Sequence, residues 1–316
     1  MALRDALTRA RATLSDLGEL AQGARALALF ICEPLGLERP LRLAHPVRRA
    51  VIISDEPFIA PLLQEGPAGR VCAVLVDERV ARVLIGRSPE SLREAVSFGD
   101  DVHGRQHQGG WSQARYQRSM HEDIAAHLRH VARVLQDLLK VAPYERLLIG
   151  CTEQLWPRVL ERLHPDVRLR LHDQRLAIDV SDASVADVQE AGAAALLEEE
   201  RAHEDELLER LREHLGREDA RAVAGLPEVL HALVERRVEA LLYEDGLHSA
   251  GVRCPSCGWM DLEGERCPVD GTVLERREDI VEEALLAATS QSAEVRALRD
   301  RPELGPLGGI AAILRF

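Results

Sequence analysis

Leu3, Leu7, Leu14 and Leu17 recur at helical spacing, so the chain opens on a helix with one apolar stripe that ends near Gly18. Short apolar runs at 26–32, 41–43 and 50–54, separated by Pro34, Pro40 and Pro46, predict strands of a small sheet and make residues 1–66 a short N-terminal unit. Gly66-Pro67-Ala68-Gly69 marks its boundary. The continuous apolar run 71–76 and the run 80–85 after a polar turn predict a hairpin whose first strand is buried. A loop follows from about Ser97 to Ser112. Beyond it Ile124, Leu128, Val131, Leu135 and Leu138 keep helical spacing and predict a helix over 114–140, although Ser119 with Glu122 forms a capping-box pattern that allows a later start. Strands at 146–151 and 176–180 flank a helix at 154–163, and this alternation predicts α/β layers in a central domain, 67–184. After the polar break 181–184, a helix over 185–215 carries Leu207, Leu211 and Leu215 on one face and glutamates on the others. It opens a C-terminal α/β domain, 185–316, with helices at 227–238 and 280–289, a strand at 240–243 and a buried final strand within 308–314.

Composition narrows the picture. A chain of 316 residues has room for two or three domains, and 46 % hydrophobic with 3 % aromatic residues means an aliphatic core. The formal net charge of −13 excludes a protein that coats nucleic acid over its whole surface; RNA contact is confined to patches, and DNA is not an expected partner. The N-terminus alternates charges with leucines and no apolar run approaches the ~18 residues of a membrane span, so a cytoplasmic protein with no membrane partner is expected.

Against that acidic background the stretch from His103 to Arg118 holds Arg105, Arg115 and Arg118 and no carboxylate, around Gly109-Gly110-Trp111-Ser112-Gln113. Adjacent glycines let a ligand approach the main chain, and arginine is the usual partner of phosphate. Two readings stand: an anion-binding tip, or a solvated loop capped by Ser112. Cys32, Cys72 and Cys151 sit alone in apolar runs and read as buried thiols. Cys254-Pro-Ser-Cys257-Gly and Cys267-Pro-Val-Asp270-Gly are matched knuckles with zinc-ribbon shape, an insertion at 250–275. Structural zinc is the expected cofactor, held by Cys254, Cys257, Cys267 and Asp270. His248 as fourth ligand and a site without metal are the alternatives.

The order of a short N-terminal unit, a Gly-Gly...Gln loop before a long helix, a connecting helix, a ribbon and a terminal Gly308-Gly-Ile-Ala-Ala-Ile-Leu-Arg-Phe316 resembles the archaeo-eukaryotic peptide release factor and Pelota superfamily. In its release factors the glutamine follows the glycines directly. Here Trp111 and Ser112 intervene, similar to the branch that includes the peptidyl-tRNA hydrolases of ribosome quality control and bacterial relatives. The resemblance implies a central mixed-sheet release-factor-like domain and a C-terminal ribosomal-protein-like α/β domain with the ribbon inserted. It implies hydrolysis of peptidyl-tRNA on the large subunit of the ribosome, with Gly109, Gly110 and Gln113 as the catalytic loop and Arg105, Arg115, Arg118 and Trp111 against RNA. Because residues 1–66 are short for a codon-reading domain, codon-independent rescue is expected. The same loop also admits cleavage of the tRNA 3′ end, or ribosome binding without catalysis.

Overall fold

The computed structural model describes residues 2–16, 25–43, 47, 49–54, 56–63, 69–99, 112–217, 221–299 and 301–316, with the backbone alone for 2, 3 and 112–119. The chain divides into two compact units: one formed by residues 67–200, the other by 1–66 together with 201–316.

In the second of these, α1 (Ala2–Asp16) packs on β1 (Ala26–Cys32), which pairs antiparallel with β2 (Leu37–Leu43). Residues 50–54 correct an expectation. Their apolar run is no strand: Val51, Ile52 and Ile53 are 78, 48 and 70 % exposed, and no strand pairs with them among the described residues. Hydrophobicity without a facing sheet edge does not make a strand. A short helix, α2 (Ala60–Leu63), follows.

The unit 67–200 is built on one four-stranded sheet. β3 (Val71–Val76), β4 (Val80–Gly86), β5 (Arg93–Gly99), α3 (Ser112–Val141) and β6 (Arg146–Cys151) come in turn, and the strand order is β5-β4-β3-β6. β3 lies antiparallel to β4 and parallel to β6, and every one of its residues is buried. That is the burial a continuous apolar run predicts. α3 covers one face through Ile124, Leu128, Val131 and Leu135, joined by α4 (Trp156–Leu160) and α5 (Pro165–Arg168). The opposite face takes Val188 of α6 (Val185–Arg217). Three sequence expectations need correcting here. Residues 97–99 belong to the edge strand β5 rather than to the loop, and α3 starts at Ser112, ahead of the capping-box position. The run 176–180 contributes one bridge, Gly150 to Leu176, and no strand, because Leu176 and Ile178 are used to cover the sheet face.

In the C-terminal part, β7 (Ala222–Ala224), α7 (Leu226–Val234) and β8 (Val238–Glu244) precede the three-stranded ribbon of β9 (Gly251–Arg253), β10 (Met260–Asp261) and β11 (Glu275–Arg277). α8 (Ile280–Ser290), β12 (Glu294–Leu298) and β13 (Ile310–Leu314) complete the chain. The main sheet has the order β12-β8-β13-β7, with β12 parallel to β8 and β13 antiparallel to both its neighbours. α7 and α8 cover one face; Leu207, Leu208 and Leu211 of α6, with Leu304, cover the other. α7 ends at Val234, short of the helix expected to Val238, because Val238 already pairs in β8.

Candidate functional site

The loop that the sequence singles out runs between two fixed ends. β5 stops at Gly99 on the sheet edge, and α3 begins at Ser112. Phe98 near the first end packs its ring against two histidines of α3, His127 at 6.1 Å and His130 at 4.4 Å between centroids. His127 is wholly buried, so this contact ties the edge strand to the helix. Composition did not mark these histidines, since imidazole on an amphipathic helix reads as surface. Arg105, Gly109, Gly110 and Trp111 lie outside the described residues. Gln113, Arg115 and Arg118 belong to the first turns of α3, and their side chains likewise lie outside the description.

The second candidate is the ribbon. Its two knuckles fold alike: the Cys254 and Cys267 N–H groups donate to the Trp259 and Thr272 carbonyls at 2.7 and 2.8 Å, and the Gly258 and Gly271 N–H groups donate back to Cys254 and Cys267 carbonyls at 3.0 and 2.9 Å. Gly258 and Gly271 take φ of 77° and 75°, left-handed values that glycine adopts without strain. The turns bring Cys254, Cys257, Cys267 and Asp270 together, one ligand atom from each lying within 4.8 Å of all the others. Cys257 Sγ is 3.4 Å from Cys267 Sγ, and Cys254 Sγ is 3.6 Å from Asp270 Oδ1. Thiolates at about 2.3 Å from a tetrahedral zinc stand about 3.8 Å apart, so small adjustments fit the set to an ion. His248 is not part of the cluster.

Electrostatics agree with that fit. The Thr272 N–H, donating at 3.0 Å, holds the Asp270 carboxyl well below the usual carboxylate range. Desolvation raises Cys254, but N–H bonds from Cys257 and Ser256 outweigh it and leave the thiol below its ordinary value. The Trp259 N–H favours a Cys257 thiolate, yet desolvation and the crowding of Cys267, Cys254 and Asp270 push it up to about 11. Negative charge converging this closely is what a cation relieves. The four residues can hold a metal ion.

Cys72 and Cys151 carry no such chemistry. Burial pushes Cys72 up to about 12 and Cys151 up to about 11, which keeps both thiols protonated and inert.

The family model for bacterial archaeo-eukaryotic release factor family 10 matches residues 57–197, and that for eRF1 domain 3 matches residues 201–316. The chain belongs to the archaeo-eukaryotic release factor and Pelota superfamily. Among solved structures, the C-terminal domain of a peptide chain release factor from Methanosarcina mazei is 23 % identical, covering 44 % of this chain and 97 % of that one with a TM-score of 0.32. A ribosome-bound archaeal Pelota is 20 % identical over 78 % of this chain and 61 % of its own, with a TM-score of 0.47. Dom34 of S. cerevisiae is 14 % identical over 78 % of this chain and 62 % of its own, with a TM-score of 0.46. Among the described residues no helix is long and apolar enough to cross a membrane.

Proposed function

We propose that this chain is a codon-independent ribosome rescue factor that hydrolyses the ester of peptidyl-tRNA through Gly109-Gly110-Trp111-Ser112-Gln113, with structural zinc in the ribbon. The observation that carries the reading is that a release-factor family model spans the loop itself, 57–197. Chemistry supports it. The ester is more labile than an amide, and Gln113 can orient a water or the terminal ribose without titrating. The paired glycines admit both to the backbone, whose N–H groups are suited to a developing oxyanion. Arg105, Arg115 and Arg118 would hold phosphates without choosing sequence. With three thiolates and a carboxylate on the ion, no position is left for a catalytic water, so the metal's part is to shape the ribbon.

The test is release of a labelled peptide from stalled large-subunit complexes by wild type and Gln113→Ala, with binding followed by co-sedimentation. Wild type is expected to release the peptide and leave tRNA with an intact 3′ end, and the variant to bind equally while releasing about a hundredfold more slowly. A shortened tRNA would replace ester hydrolysis with phosphodiester cleavage. Binding by both proteins with release by neither would leave a non-enzymatic ribosome-binding factor.

A further inference from the structure

Residues 56–63 lie against the C-terminal domain, held by an ionic fringe over a buried carboxyl. Arg253, the last residue of β9, places Nη1 2.9 Å from Glu56 Oε1 and 2.8 Å from Glu283 Oε2, and Arg277 of β11 stands 3.1 Å from the other Glu283 oxygen. Beneath that fringe Glu282 Oε1, on the first turn of α8, accepts the backbone N–H groups of Ile59 and, at 3.3 Å, of Ala60. Ala60 and Leu63 pack on the core formed by α7, β8, α8 and β13. The second Glu282 oxygen, Oε2, is buried with no hydrogen-bond partner among the described residues. One carboxyl oxygen is thus doubly used as an acceptor, and the other faces no donor. A full negative charge is poorly placed there, because the buried oxygen meets no donor; a proton on that oxygen removes the charge at the smaller cost of a hydroxyl without an acceptor.

The geometry points to a proton-linked latch: residues 56–63 seat on the C-terminal domain with a proton on Glu282 Oε2, and are held less firmly when that proton leaves. The groups facing Glu282 agree. Desolvation comes first and raises its proton affinity; Asp279 and Glu283 of its own helix raise it further, and the Ile59 and Ala60 N–H groups lower it, leaving it at about 7. The nearby cations are engaged elsewhere, Arg253 with Glu56 and Glu283, Arg277 with Glu283. On β12, which packs against α2, Glu294 and Arg296 pair with each other at 2.8 Å, and Glu294 also meets His203. When the segment lifts, Glu282 meets water and returns toward the ordinary carboxyl range. Seating therefore takes up a proton. It is strongest in acid, weakens as pH rises from the ordinary carboxyl range to about 7, and levels off above that value.

Amide hydrogen exchange in the full-length chain, corrected for intrinsic rates, tests this at Ala60 and Leu63 between pH 6 and 8.5, with amides of β8 and β13 as a control for global opening. Protection of the segment is expected to fall by roughly tenfold between pH 6 and 8, most of it below pH 7, and to level off above, while the strand amides hold steady. Glu282→Gln, a permanently neutral isostere, should keep the protection and flatten the pH profile. Glu282→Ala, which removes the acceptor, should lose protection at every pH with the strand amides still protected. A flat wild-type profile, or a Glu282→Gln protein that keeps the wild-type slope, overturns the latch.

Discussion

Replacing Cys254 with serine is expected to abolish metal retention and open the ribbon to proteases between residues 254 and 272. Beyond Met260 and Leu262, which pack on the main core, the ribbon's own buried cluster is small: Val252, Cys254, Cys267 and Leu274 with Trp259 against them, and two of those are candidate ligands. Its strands are three residues or fewer. A structural zinc contributes on the order of 10 kcal/mol or more to such an element, and so small a cluster has nothing to substitute. Zinc content of the purified protein and the rate of cleavage within the ribbon, with and without chelator, are the measurements. Asp270→Cys should bind zinc more tightly, since a fourth thiolate replaces a carboxylate. Asp270→Ala should lower affinity without erasing it. A wild-type protein that carries no zinc and is cut at the same rate with chelator as without would refute the metal reading.

Val74→Asp is expected to leave the unit 67–200 unfolded. Val74 is in the middle of β3, fully buried, opposite Val83 on one side and Ile149 on the other. Both of its paired neighbours are apolar, and an unpaired buried charge costs at least several kcal/mol. Since a domain's whole stability is about 5–15 kcal/mol, the change should remove its thermal transition. Val74→Ala, which deletes two methyl groups, should cost about 2 kcal/mol and leave a folded unit with a lower melting temperature.

What the sequence revealed depended on whether a signal was local. β3 was legible because its burial on both faces writes a continuous apolar run, and α3 because its stripe persists from Ile124 to Leu138. The ribbon was legible for a different reason: both knuckles repeat one spacing, so Asp270 could be placed as the counterpart of Cys257 before any distance was known. β5 and β12 were not legible. Apart from Leu298 their residues are exposed or half-buried, several carry charges, and what makes them strands is the neighbour they pair with, β4 and β8. The apolar run at 51–53 shows the converse, a strand-like composition with no partner. Glu282 was the least visible. A glutamate in a helix's first turn is ordinary surface chemistry, and only the return of residues 59 and 60 from far upstream buries it. Of the stretch 109–113, Ser112 and Gln113 fall in the first turn of α3 rather than in a loop, and 109–111 lie outside the described residues.

The place of β13 in its sheet bears on how the chain is made. β13 sits between β8 and β7, yet it comes after the other three strands of its sheet in chain order. The sheet of 67–200 has all its strands once Cys151 has emerged, so that unit can fold while translation continues. The C-terminal sheet must wait: until residues 310–314 are free, β8 has only β12 beside it and β7 has no neighbour. A nascent chain halted just short of that point would carry one finished unit and one open apolar edge, a natural substrate for chaperones and a ready nucleus for aggregation.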